Sequence, residues 1–67
     1  MTYDDLISKT SLLRREYPQL RFGQALMNVL SKEDPQLYSI IHCTEADCFY
    51  DDKKINLFFE KVIDAMP

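Results

Sequence analysis

Between residues 19 and 31 the chain reads Gln19-Leu20-Arg21-Phe22-Gly23-Gln24-Ala25-Leu26-Met27-Asn28-Val29-Leu30-Ser31, and this stretch decides the fold. Phe22, Ala25, Leu26, Val29 and Leu30 recur at the three-and-four spacing of one helical face, with Gln24 and Asn28 opposite. The spacing predicts a helix over 20–31 whose apolar face forms the centre of a core. Period-two alternation occurs neither here nor elsewhere, so no sheet is expected.

Toward the amino terminus, Tyr3, Leu6, Ile7, Leu13 and Tyr17, with Thr10 in the gap, mark a helix over 3–17. Thr2 and Asp5 have capping-box spacing at its start, Arg14 and Arg15 suit its negative end, and Pro18 stops it. Toward the carboxyl terminus, Asp34-Pro35 reads as an N-cap followed by proline at the first helical position. Leu37, Ile40 and Ile41 then give a short helix over 35–42. Residues 42–50 match neither period and form a loop anchored by its aromatics, with a turn begun by Thr44 and Asp47. Asp51 or Asp52 caps a last helix over 52–65 carrying Ile55, Phe58, Phe59, Val62 and Met66. The expected fold is all-α, a compact single domain over 1–67 of about four short helices, with the second and last as the most apolar pair.

Composition supports folding and narrows function. Of 67 residues, 46% are apolar and 12% aromatic, with a single glycine and three prolines, which excludes disordered and collagen-like classes. A chain this short buries only about 60% of its unfolded surface, so few rigid residues remain to support a catalytic site. The net charge of −3 opposes direct binding to nucleic-acid phosphates, and a would-be reading helix at 35–42 has no Lys or Arg. Charge is also uneven, for residues 33–52 carry Glu33, Asp34, Glu45, Asp47, Asp51 and Asp52 and no Lys or Arg. No apolar run approaches the roughly 18 residues that span a bilayer, and Met1 to Asp5 lack an export signal. A cytoplasmic protein with reduced thiols at Cys43 and Cys48 is expected.

His42, Cys43, Glu45, Asp47 and Cys48 bring metal-binding side chains together, but a sole histidine and the wide Cys spacing argue against a zinc site. Asp47, Asp51 and Asp52 lack the alternation, central glycine and terminal Glu of a calcium loop. Adjacent residues such as His42 and Cys43 at a helix end are expected to point apart, so no nucleophile and base are assembled. No catalytic residue, metal or cofactor is therefore assigned. Gly23 stands inside a helix at a cost of about 1 kcal/mol against alanine, which invites a close contact there. Phe49 and Tyr50 are expected to pack over Gly23 while Arg21 pairs with Asp47 or Asp51, making Arg21, Gly23, Gln24 and Phe49 structural.

The run Arg21 to Leu30, the step Asp34-Pro35-Gln36-Leu37 and the loop Thr44-Glu45-Ala46-Asp47-Cys48-Phe49-Tyr50-Asp51-Asp52 together resemble a group of small, mostly uncharacterised proteins encoded by bacteria and their phages. The resemblance covers roughly residues 17–60 and implies a setting and a fold unit, with no activity or cofactor. It implies glycine where Cys43 stands.

The expected function is that of a small non-catalytic interaction protein of phage or prophage origin. It would bind and modulate or inhibit a host protein through the acidic 33–52 surface, with Glu45, Asp47, Tyr50, Asp51 and Asp52 as the contact residues. A basic patch that normally holds nucleic acid would be one such target. The competing expectation is a self-associating accessory domain, a homodimer joined through Leu12, Met27 and Leu57.

Overall fold

The computed structural model describes residues 1–66, which form α1 (Tyr3–Glu16), α2 (Phe22–Glu33), α3 (Pro35–Ile41) and α4 (Ile55–Ala65), with a 3₁₀ turn at Asp52–Lys54 leading into α4. No strand occurs among the described residues. The all-α expectation holds, and the boundaries move for local reasons. Arg21 is in extended backbone as the N-cap of α2, so that helix starts at Phe22 rather than near residue 20. It continues to Glu33 because only Asp34, the residue before a proline, leaves helical geometry. The last helix opens as a 3₁₀ turn because the Asp51 side chain, bonded to the amide of Lys53 at 2.9 Å, tightens its first residues.

The start of α1 is a capping box. Asp5 N–H donates to Thr2 Oγ1 at 3.2 Å and Thr2 N–H donates to Asp5 Oδ2 at 3.4 Å, which satisfies two otherwise orphaned donors. Asp34 closes one helix and opens the next: its amide bonds Leu30 O at 2.9 Å while its carboxylate accepts from Leu37 N–H at 3.2 Å. α2 and α3 are thus joined with no intervening loop.

α2 lies between α1 and α3, with the 3₁₀ turn against its first residues. Its covering is wider than one stripe, so Ala25, Leu26, Val29 and Leu30 are buried as the periodicity requires and Met27 is buried with them at 1% exposure. Leu6 from α1, Leu37 and Ile41 from α3, and Phe58 and Val62 from α4 complete the core. Ala46 and Cys48 of the loop enter it as well, so the long connection is part of the packing. The Cα radius of gyration of 10.7 Å matches the value of about 11 Å for a compact chain of this length. Tyr3 and Tyr17, placed on the buried stripe by their spacing, remain 37% and 45% exposed, Tyr3 lying edge-on to Phe59.

Thr10 is fully buried and its hydroxyl has no hydrogen-bond partner among the described residues. A buried hydroxyl without a partner costs more than an isosteric methyl, so Thr10→Val is expected to raise stability by about 1 kcal/mol. Urea denaturation of the two proteins checks this, and a lower midpoint for the variant would show that the hydroxyl is satisfied in solution.

Candidate functional site

The residues singled out by their chemistry converge on the loop from His42 to Asp51 and on the start of α2, which the loop covers. Gly23 is the reason the two can meet. The Cys48 carbonyl and the Asp52 carboxylate lie directly over it; a Cβ built there would collide with the Cys48 carbonyl and stand 2.8 Å from Asp52 Oδ1. Asp52 Oδ1 accepts from Gly23 N–H at 3.2 Å, so a carboxylate distant in sequence caps a helix whose own N-cap, Arg21, has no acceptor to offer. The Gln24 side chain accepts from Arg21 N–H at 3.4 Å and completes the helix start.

Two expectations are corrected here. Arg21 pairs with Asp52, Nε to Oδ1 at 3.6 Å, rather than with Asp47 or Asp51, and its guanidinium also donates to the Phe49 carbonyl. Cys48 and Asp52, rather than Phe49 and Tyr50, cover Gly23. Both follow from the inward turn of Cys48: it is fully buried and its thiol donates to Gly23 O at 3.5 Å. Burial, with the nearby Asp47 and Asp52 carboxylates adding to it, pushes the Cys48 thiol up to about 12, so this sulfur stays protonated and unreactive.

Asp47 organises the loop from within. Its carboxylate accepts from Cys43 N–H at 2.9 Å and from Phe49 N–H at 3.0 Å, and its Oδ2 lies 3.3 Å from His42 Nδ1. Burial works to raise its pKa, but the two amide bonds and the imidazole outweigh it and hold the carboxyl below the ordinary value of 3.8. Thr44 supports the preceding turn, its hydroxyl donating to Ile41 O at 2.6 Å and accepting from Ala46 N–H at 3.2 Å.

A depressed carboxylate stabilises the fold wherever it is ionised. That contribution is complete above the unfolded pKa and disappears as pH falls through the lower folded value. Asp47→Asn is therefore expected to cost about 1–2 kcal/mol near neutral pH through weakened amide bonds. The gap from wild type should close on acidification below the ordinary carboxylate range, as thermal melts across pH would show; a gap independent of pH would contradict it.

The expected contact residues thus divide. Asp47 and Asp52 are engaged within the molecule, and Asp51 caps the 3₁₀ turn while staying exposed. Glu33 pairs with Lys9 and Asp34 caps α3, which removes them from a free acidic surface. Glu45 is exposed with no ion-pair partner among the described residues. Tyr50 is 87% exposed, its ring set edge-on to Phe49 at 4.7 Å between centroids. The proposed dimer seam loses Met27, which is in the core; Leu12 remains 59% exposed and Leu57 is half-buried.

No family model, no curated protein and no solved structure matches this chain. What bears on function is the loop itself. Next to it, α3 and α4 bound an open groove of about 460 Å³ lined by Ile40, Ile41, Leu57 and Ala65, with Glu45 and Lys61 among its polar residues. Ile40 is 70% exposed there. No helix among the described residues is long and apolar enough to cross a membrane.

One further correction concerns His42 and Cys43. Their side chains do not point apart: Cys43 Sγ and His42 Nε2 are 3.3 Å from each other. Cys43 has φ of +63°, a left-handed conformation that folds the chain back on itself and that glycine adopts without the Cβ cost. Sequence spacing carries no sign of that φ beyond the glycine that the resemblance implies at this position.

Proposed function

We propose that this chain is a small non-catalytic protein-interaction module that binds a cationic segment of another protein through Glu45, Tyr50 and Asp51. The observation that carries this reading is Tyr50, a large aromatic 87% exposed on a loop that the Asp47 and Asp52 carboxylates hold in place. An aromatic ring held by an edge contact loses little freedom on binding, which is why tyrosine concentrates at interface hot spots. Glu45 and Asp51 are exposed in the same short loop, so a segment carrying several Lys or Arg residues laid along it meets carboxylates and a ring face in turn. Ile40 and the groove that Glu45 helps to line accommodate an apolar side chain of the same segment.

The setting implied by the resemblance is that of bacteria and their phages, in a cytoplasm, where such a module modulates or inhibits a host protein by occupying a basic surface. A competition with nucleic acid for that surface belongs to the same reading, without direct contact between this chain and nucleic acid.

Selection of displayed random peptides against the purified protein tests the proposal. The expected winners carry Lys or Arg residues together with an aliphatic residue, weaken as salt rises, and lose binding to Tyr50→Ala and to Glu45→Lys. Winners that bind those variants as well as they bind wild type would contradict the assignment of the surface. A dimer by light scattering, dissociated by Leu12→Asp and indifferent to Tyr50→Ala, would favour self-association instead.

A further inference from the structure

Beyond the interaction surface, three side chains of the loop form an ordered series. Cys43 Sγ lies 3.3 Å from His42 Nε2, and His42 Nδ1 lies 3.3 Å from Asp47 Oδ2. Asp47 is itself fixed by the amides of Cys43 and Phe49, and the imidazole is stacked on Tyr38 at 4.9 Å and 15°. A carboxylate only accepts, so Nδ1 carries the ring proton toward Asp47 and Nε2 is left to accept from the thiol. This is the arrangement of a nucleophile, a base and a group that orients the base. We propose that Cys43 is a reversible thiol-modification site, where His42, positioned by Asp47, takes the thiol proton and the sulfur exchanges with a low-molecular-weight disulfide.

In the step itself the Cys43 S–H bond breaks and its proton passes to Nε2. The sulfur attacks one sulfur of the incoming disulfide, a new S–S bond forms, and the old one breaks. The leaving thiolate takes the proton from His42. Cys43 is oxidised to the mixed disulfide and the released half is reduced to a thiol, so electrons and protons balance with no further reactant.

Three observations favour this chemistry over others. Access is open at Cys43, which is exposed, and closed at Cys48, which is fully buried, so one sulfur is selected of two. The backbone holds a cysteine in a left-handed conformation that is costly for it, and that conformation turns the thiol to the preceding imidazole. The donor atoms of His42, Cys43 and Asp47 lie within 4.8 Å of one another, which a metal would also require. However, the two ring nitrogens face different partners and both Asp47 oxygens already serve amides, so the groups form a series rather than converging on one point. The site is stoichiometric and needs no turnover.

The test uses the full chain with oxidised glutathione and, separately, neutral dithiodipyridine, following the mass of the Cys43 peptide after digestion. Cys43 is expected to react at least about tenfold faster than N-acetylcysteine at neutral pH, with Cys48 unmodified in the folded protein. His42→Ala should lose that advantage and recover part of it with added imidazole, while circular dichroism shows unchanged helicity. Asp47→Asn should slow the reaction even where its helicity is retained. A wild-type rate equal to that of N-acetylcysteine, or a His42→Ala rate equal to wild type, would overturn the proposal. So would tight zinc binding by His42, Cys43 and Asp47 in a protein whose thiol reacts at the ordinary rate.

Discussion

Gly23→Ala is expected to destabilise the protein by about 2–3 kcal/mol, seen as a fall in Tm of about 10–20 °C for a domain of this size. The sign is what makes this informative. In an ordinary helix interior the same change stabilises by about 1 kcal/mol, because alanine is the better helix former. Here the added methyl would collide with the Cys48 carbonyl, which is backbone and has no rotamer to yield, and would crowd the Asp52 oxygen that caps α2. The loop would have to lift from the helix, losing the Gly23–Asp52 and Arg21–Phe49 bonds with it. Thermal melts of the two proteins decide the matter, and an unchanged or higher Tm for the variant would show that the loop does not rest on Gly23.

Phe58→Ala is expected to cost about 3–5 kcal/mol, the usual loss for removing a fully buried aromatic. Phe58 has no exposed surface and stands edge-to-face with Phe59 at 5.5 Å and 71°. A single core in a domain this short rarely supplies more than about 3–5 kcal/mol of stability, so the variant should be largely unfolded at room temperature. Circular dichroism and one-dimensional proton spectra check this; a cooperative melt with native-like dispersion would show that the neighbouring side chains close the cavity. Phe58→Leu, which keeps most of the volume, should remain folded.

The parts of this structure that depend on neighbours in sequence are legible from the sequence. Thr2 with Asp5, and Asp34 with Pro35, announce their caps because donor and acceptor are at most three residues apart. The stripes of α2 and α4 follow from period alone. What escapes is set by long-range geometry. Gly23 signals a close approach, yet the groups that approach are 25 and 29 residues away and nothing in the spacing selects Asp52 over Asp47 or Asp51. Met27 reads as off the stripe because period describes one face, whereas α2 is covered on several. The meeting of His42 with Cys43 is hidden because side-chain directions at a helix end depend on the sign of a single φ.

The acidic stretch teaches a related point about charge. Six carboxylates over residues 33–52 read as a surface, but Glu33, Asp34, Asp47, Asp51 and Asp52 each serve an ion pair or a backbone amide. Counting charges overstates the free surface, and hydrogen-bond accounting corrects it. What remains to meet a partner is Glu45, Tyr50 and Asp51, few groups exposed in the loop, whose value depends on the loop's being held still.

That rigidity is the central claim, and amide hydrogen exchange measured by NMR tests it most directly. The amides of Gly23, Cys43 and Phe49, bonded to the Asp52 and Asp47 carboxylates, are expected to exchange with protection comparable to that of the α2 amides. Exchange at Cys43 and Phe49 as fast as in an unstructured peptide, with α2 still protected, would contradict the claim: the loop would then be a flexible tether, and neither the interaction surface nor the thiol site would be preorganised.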